Sequence, residues 1–254
     1  MEDGEKPIKI LGINASPRKY GNTFKLLYIA METAREFGAK IEIVHLYDYD
    51  IKPCLGCLSD EQQACRYPCV INDDGRLVLD KILKSDGLII ATPIYWYGPS
   101  GHLKNLIDRM TVFENMIFID GRSWVEGKVA AFIATGSDSG DINTISYLSI
   151  VLNSMGFVIP PWALAYHARE GDVLQNRNAL LDAANIGKIV VETIKLLRSK
   201  REWYDPTLIN RSNIRRIIER AHEEALKNRE KQYSMRAKQI LKLLDKQVNE
   251  IKTQ

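Results

Sequence analysis

The chain has 254 residues, of which 45% are hydrophobic and 26% charged, and its formal net charge is +3. This composition excludes a small disulfide-framed domain and allows one full core with an appendage. The N-terminal MEDGEKPIKI lacks the basic and apolar regions of a secretion signal, so we expect a cytoplasmic protein with reduced thiols. Polar residues and prolines interrupt the uncharged stretch 142–168, and we therefore expect no membrane association.

Strand and helix patterns alternate along residues 8–198. The expected strands are residues 8–15, 40–47, 87–92, 128–135 and 157–166. The expected helices are residues 23–39, 75–84, 100–113, 141–155 and 175–198. Such alternation of nearly continuous apolar strands with helices predicts an α/β fold, a doubly wound five-stranded parallel sheet covered on both faces. We assign this domain to residues 1–200.

Residues 201–254 are predicted to form a helical C-terminal extension. Apolar residues at positions 214, 217, 221 and 225, and again at 241, 244, 248 and 251, predict one apolar stripe on each of two helices. The stripes could pack on their own domain, on a second subunit or beside an acidic partner. We favour a homo-oligomer, a dimer or tetramer, because the domain already covers its sheet. The charged faces are read as solvated, so no nucleic acid partner is expected.

The loop after the first strand, NASPRKYGNT, is a candidate phosphate site. In doubly wound sheets, ligands bind beyond the carboxyl ends of the strands. This loop places hydroxyl, amide and guanidinium groups where a helix begins, and a helix N-terminus favours a phosphate. Those groups belong to Ser16, Arg18, Asn22 and Thr23. Ordinary capping of the helix by Asn22 or Thr23 is an equal alternative.

Two further loops lie at the same predicted edge. The loop after the third strand, TPIYWYGPSG, carries three consecutive aromatic residues, Tyr95, Trp96 and Tyr97. They suit a planar cofactor, and an interface patch is the alternative. The loop after the fourth strand, TGSDSGD, is small and polar, so it could bring backbone N–H groups against a ring edge or be a plain connection.

All four cysteines fall within PCLGCLSDEQQACRYPC, residues 53–69: Cys54, Cys57, Cys65 and Cys69. In a reducing compartment, grouped cysteines are more often a metal or redox site than a set of crosslinks. Four thiolates suit either an iron–sulfur cluster or tetrahedral zinc. Zinc and the absence of any metal both stay open at this point.

Several segments together resemble the NADPH-dependent FMN reductase family of flavodoxin-like proteins, and especially its iron-sulfur flavoprotein branch. They are GINASPRKYGNT, IKPCLGC, CVINDD, ATPIYWYGPSGHLKNLIDR and TGSDSGD, within about residues 8–198. The resemblance implies an FMN whose phosphate lies against the four polar residues of the first loop. It places the flavin ring between two groups of residues: Pro93, Ile94, Tyr95, Trp96, Tyr97 and Gly98 on one side, and Thr135, Gly136 and Ser137 on the other.

The same resemblance implies a four-iron, four-sulfide cluster on Cys54, Cys57, Cys65 and Cys69, close to the flavin. Asp60 stands where the family's iron-sulfur members usually keep a third cysteine, so Cys65 must supply that ligand. Asp108 and Arg109, in the segment LKNLIDR, are read as structural.

The leading hypothesis is a flavin oxidoreductase that passes electrons between FMN and the cluster, with a redox partner protein or a small molecule as acceptor. One alternative is an NAD(P)H-dependent reductase of flavin or quinones that lacks the cluster. Another is a redox-sensing regulatory binding protein. Flavin chemistry requires no general base, so no catalytic role is expected for the histidines at positions 45, 102, 167 and 222.

Overall fold

The computed structural model describes residues 6–198 and, beyond them, residues 207, 210, 212, 216–217, 226–230 and 233–242. The chain divides into two compact units, residues 1–204 and 205–254. In the second unit, residues 226–230 and 233–242 are helical. Apart from positions 217 and 241, the apolar stripes expected in the extension lie outside the described residues, so their subunit packing stays a prediction.

A five-stranded parallel sheet forms the centre of the first unit. Its strands are β1 (Lys9–Asn14), β2 (Lys40–His45), β3 (Gly87–Pro93), β4 (Val129–Gly136) and β5 (Leu164–Ala168). The strand order is β2-β1-β3-β4-β5, and every pairing is parallel. This is the flavodoxin-like order, with the winding reversing between β1 and β3. The predicted fold class is confirmed.

Eight α-helices are described in this unit, and four of them follow the sequence prediction closely. They are α1 (Asn22–Glu36), α2 (Cys57–Asp60), α3 (Gly75–Lys84), α4 (Gly101–Arg109), α5 (Thr111–Glu114), α6 (Ile117–Asp120), α7 (Asp141–Ser154) and α8 (Arg177–Leu197). The helix expected over residues 100–113 is divided into α4 and α5 at Met110. The N–H of Met110 is shared between the carbonyls of Leu106 and Ile107, so the helix narrows to a 3₁₀-type turn there. Within the described residues, none of the helices has the length and hydrophobicity needed to cross a bilayer.

The fifth strand begins later than predicted. The sequence pattern placed it at residues 157–166, whereas β5 spans Leu164–Ala168. Val158 makes only an isolated bridge with Val129, and Trp162 has a left-handed backbone with φ of 56°. Pro160 and Pro161 explain the shift, because proline has no N–H to donate to a sheet and fixes its own φ.

The sheet has a separate apolar core on each face. Alternate residues of β1, β3 and β4 point to opposite sides, as in any strand. Leu88 and Phe132 belong to the core under α3, α4 and α7. Ile89 and Ile133 belong to the core under α1 and α8. Because the central strands are buried on both faces, the loops at their carboxyl ends are held by rigid elements on both sides.

Candidate functional site

A cavity of about 540 Å³ lies at the carboxyl ends of the central strands. Ten of the thirteen predicted flavin-site residues line it. They are Ser16, Arg18, Asn22, Thr23, Pro93, Ile94, Tyr95, Thr135, Gly136 and Ser137. The three loops that the sequence singled out therefore meet at one site.

The helix α1 starts at this cavity without a side-chain cap. Gly21 is its N-cap residue, and it supplies no side-chain cap hydrogen bond. Neither Asn22 nor Thr23 caps the helix, so the capping alternative is not what this structure contains. The first-turn N–H groups of α1 are thus left for an external acceptor, as at known phosphate sites.

The polar side chains of the first loop have different partners. Ser16 is buried, and its Oγ accepts the backbone N–H of Arg18 at 3.1 Å. Thr23 is also buried, and its Oγ1 is hydrogen bonded to Thr135 Oγ1 at 2.6 Å. The amide of Asn22 is engaged elsewhere, because it donates to the Gly171 carbonyl. It also accepts the N–H of residue 173. Asn22 therefore fixes the loop after β5 as well as lining the cavity.

The aromatic segment after β3 forms a tight turn, in which Trp96 and Tyr97 are the two central residues. The N–H and C=O groups of Tyr95 and Gly98 bond each other at 2.9 and 3.2 Å. Both central residues are left-handed, with φ of 50° at Trp96 and 64° at Tyr97. Bulky side chains rarely adopt this conformation, and hairpin turns normally use Asn-Gly there. Trp96 is 96% exposed, and residues 96–98 are not part of the cavity lining.

Gly140 lies against this aromatic turn. Its φ is +90°, and a Cβ placed there would lie 3.0 Å from the Cα of Tyr97 and 3.0 Å from Cγ2 of Ile94. A side chain there would require Ile94 or Tyr97 to move by a few tenths of an ångström and would adopt a strained backbone conformation. The loop after β4 therefore supports the backbone of the loop after β3 directly.

The structure adds a fourth loop that the sequence analysis missed. Four consecutive residues after β5 line the cavity: Arg169, Glu170, Gly171 and Asp172. Lys25 of α1 also lines it and pairs with Asp172 at 2.6 Å. The sequence did contain a signal for this loop, because ligands bind beyond the carboxyl ends of parallel strands. The prediction ended the fifth strand at residue 166 and did not consider the charged residues that follow it.

The four cysteines line a second, smaller cavity of about 260 Å³. Cys65 and Cys69 are buried, Cys57 is half-buried and Cys54 is exposed. Burial, together with the charges of the other three cysteines, raises the pKa of the Cys65 thiol to about 11. The sulfur atoms are thus close enough to influence one another. The lining of this cavity has no residue in common with that of the first cavity.

The buried half of the cysteine segment is anchored by side chains from outside it. Asn115 Nδ2 donates to the carbonyls of Gln62 and Cys65 at 2.8 and 2.7 Å. Arg76 donates twice to the Cys69 carbonyl, at 3.0 and 2.8 Å. In the part of the chain that the structure describes, Asn115 Oδ1 is buried without a partner.

Among the described residues, no three Cys, His, Asp or Glu side chains converge on a single metal ion. One tetrahedral zinc ion, with metal–sulfur bonds of roughly 2.3 Å, needs sulfur atoms roughly 3.8 Å apart. In a four-iron cluster each thiolate binds a different iron, so the sulfur atoms stand further apart.

The described histidines have structural contacts. His102 Nε2 lies 3.0 and 2.8 Å from the carbonyl oxygens of Leu46 and Tyr49. Burial lowers the pKa of His45 and of His167, which favours their neutral forms. The absence of a catalytic role for them stays a prediction, and His222 lies outside the described residues.

The parallel sheet and its strand order define a flavodoxin-like α/β protein. The sequence pattern of the NADPH-dependent FMN reductase family matches residues 8–170. The chain belongs to this family and is a flavin-dependent oxidoreductase.

Individual relatives give the same result. An iron-sulfur flavoprotein of Methanocaldococcus jannaschii is 31% identical over 199 residues, which are 75% of this chain and 100% of the relative. A Bacillus subtilis protein provisionally named an NAD(P)H-dependent FMN-containing oxidoreductase is 32% identical over 71% of this chain and 97% of its own length. The crystal structure of RosB with a bound riboflavin-phosphate intermediate covers 85% of this chain and 87% of its own, with a TM-score of 0.65 and 19% identity. That likeness shows the fold.

Proposed function

We propose that this protein transfers electrons between FMN in the larger cavity and an iron–sulfur cluster bound by Cys54, Cys57, Cys65 and Cys69. The observation that carries the proposal is that all four thiols line one cavity, in a chain of the FMN reductase family. The name of the M. jannaschii relative, iron-sulfur flavoprotein, points the same way.

The first cavity suits the phosphate of FMN. The uncapped start of α1 offers backbone N–H groups, and the buried hydroxyls of Ser16 and Thr23 lie beside it. Arg18 adds a positive charge at the same wall. A single phosphate loop favours FMN over FAD, because a dinucleotide needs a second nucleotide-binding unit.

The flavin ring would lie between the loops after β3 and β4. Pro93, Ile94 and Tyr95 line one wall, and residues 135–137 line the other. Backbone strain at Trp96 and Tyr97 supports a functional role for the aromatic turn, since such strain clusters at ligand sites. When bound, FMN supplies the exchange of a hydride or single electrons. The protein contributes position, access and electrostatics.

The second cavity offers four thiols around one space, the number of cysteines that a four-iron cluster takes from its protein. The buried Cys65 and Cys69 supply a firmly held half of the ligand set, and the turn bearing Cys54 and Cys57 supplies the other. The acceptor or donor beyond the cluster is a redox partner protein or a small molecule.

The test is anaerobic purification followed by cofactor extraction and metal analysis. We expect FMN by mass, together with iron and sulfide near four per subunit. Cys57→Ser should remove iron, sulfide and the broad visible absorbance together while leaving the flavin peaks. Ser59→Ala is the matched control, because Ser59 lines the same cavity without a thiol. FAD as the main species, or stoichiometric zinc in place of iron, would contradict the proposal.

A second candidate is an NAD(P)H-dependent reductase of free flavin or quinones that needs no cluster. The name of the B. subtilis relative favours it. This alternative predicts full NAD(P)H oxidation by a Cys57→Ser protein that retains FMN. The leading proposal predicts that flavin reduction continues in that variant but that transfer to a one-electron acceptor is lost.

A further inference from the structure

The guanidinium group of Arg109 is buried in the wall of the cysteine cavity, and all of its N–H groups have partners. Nε donates to Cys69 Sγ at 3.2 Å. Nη1 donates to Asp73 Oδ2 at 2.8 Å and to the Lys52 carbonyl at 3.2 Å. Nη2 donates to Asp73 Oδ1 at 3.0 Å and to the Ile71 carbonyl at 3.3 Å. One side chain therefore joins the chain before Cys54 to the chain after Cys69.

The contact with sulfur is the unusual part of this arrangement. The paired bonds to Asp73 and the two carbonyls already account for a structural role. A neutral thiol is a weak acceptor, whereas a metal-bound thiolate carries negative charge and accepts strongly. Arginine stays protonated in proteins, and Nε of Arg109 donates directly to Cys69 Sγ. A permanent positive charge is thus directed at one sulfur atom.

Cys69 differs in this respect from the other three cysteines. The Sγ of Cys54 accepts the backbone N–H of Gly56 at 3.4 Å. In the described part of the chain, no hydrogen bond to the sulfur of Cys57 or Cys65 is present. The environment of the ligand set is therefore asymmetric, with its strongest donor at Cys69.

We propose that Arg109 is a positioning residue of the cysteine-bound centre, which holds Cys69 as a ligand and makes the centre easier to reduce. This inference rests on the proposed function. Reduction adds negative charge to the cluster and its sulfurs, so a donated N–H bond from a cation stabilises the reduced form more than the oxidised form. Asp73 keeps the guanidinium oriented and offsets part of its charge.

The test compares the midpoint potentials of Arg109→Lys and Arg76→Lys in the intact holoprotein, by potentiometric titration monitored with electron paramagnetic resonance. Lysine keeps the charge but cannot bind both oxygens of Asp73 and still donate to sulfur in the same plane. Arg76 is the matched control, since it donates to the carbonyl of Cys69 and not to its sulfur. At a fixed applied potential, we expect Arg109→Lys to lower the ratio of reduced to oxidised cluster about tenfold, which corresponds to a midpoint potential lower by about 59 mV. Arg76→Lys should change it less than about threefold.

A spectroscopic measurement on the wild-type protein, with Arg109→Lys as its control, completes the test. With ¹⁵N-labelled arginine, pulsed paramagnetic resonance of the reduced protein should detect nitrogen coupled to the cluster, and Arg109→Lys should abolish that signal. Iron absent from the wild-type protein would overturn the proposed function and this inference with it. A bound cluster whose potential is equal in both variants, or which lacks the nitrogen coupling, would overturn this inference alone.

Discussion

The hydroxyl groups of Thr23 and Thr135 are hydrogen bonded across 2.6 Å at a buried position. Thr23 lies in the first turn of α1, and Thr135 lies near the end of β4. The bond joins the start of the helix to the end of the strand at the wall of the larger cavity. The loop expected to hold phosphate and the loop expected to hold the ring edge are thereby fixed to each other.

Replacement of these hydroxyls should weaken FMN binding. Each hydroxyl that bonds a phosphate contributes about 1 to 3 kcal/mol. The double variant Ser16→Ala with Thr23→Ala should therefore raise the FMN dissociation constant at least roughly tenfold. Fluorescence titration of the apoprotein measures it. Thr23→Ser keeps the hydroxyl and should bind nearly as the wild type does. An unchanged constant in the double variant would place the phosphate elsewhere.

Gly140→Ala should lower the free energy of unfolding more than Gly38→Ala does. Both glycines are left-handed, with φ of +90° and +96°, and an alanine there costs about 1 to 2 kcal/mol in backbone conformation alone. A methyl group at Gly38 would meet open space, whereas one at Gly140 would lie 3.0 Å from both Ile94 and Tyr97. Urea unfolding should show a further loss of roughly 1 to 3 kcal/mol at Gly140. Equal losses at both sites would mean that the aromatic turn adjusts freely.

The contribution of Asp73 to the free energy of unfolding should be lost in acid. Burial alone would raise its pKa, but hydrogen bonds from Arg109 and Lys52 outweigh burial and hold the pKa below 3.8, the ordinary value. Between the lowered native pKa and 3.8, the unfolded state binds the proton and the native state does not. The stability from Asp73 is thus fully present above pH 3.8 and is lost as the pH falls through the native pKa.

Asp73→Asn tests that expectation. At pH 7 it should reduce the free energy of unfolding by about 3 kcal/mol, because the buried Arg109 loses its counter-charge. The difference from wild type should shrink below pH 3.8. Asp108→Asn breaks an exposed pair with Lys104 and should have an effect below about 1 kcal/mol. Denaturant titrations across this pH range provide the comparison, and a constant difference at every pH would refute the assignment.

Truncation after residue 202 tests the proposed role of the C-terminal extension. If its two apolar stripes pack between subunits, the shortened chain should have a lower oligomeric state by light scattering. The flavin domain should keep its thermal unfolding transition, because its own helices cover both faces of the sheet. An unaltered subunit count would favour packing of the extension within its own chain.

Local sequence patterns were sufficient for the fold class, and they identified most of the residues that line the larger cavity. Strand and helix periodicities depend on neighbouring residues, and the ends of parallel strands necessarily share one edge. The loops containing Thr23, Tyr95 and Thr135 could therefore be identified together. The predicted start of β5 was wrong, because the prediction followed the apolar residues from position 157 and gave too little weight to the two prolines at positions 160 and 161.

Other features were decided by the tertiary structure alone. The loop at residues 169–172 joins the cavity only because β5 lies beside β4 and Asn22 bonds across to residue 171. Arg109 stands 36 and 40 positions from Asp73 and Cys69. In the sequence it could be read only as part of a helix. Its choice of partners depends on how α4 and the cysteine segment pack together, and hydrogen bonds at such separation leave no periodic signal in the chain.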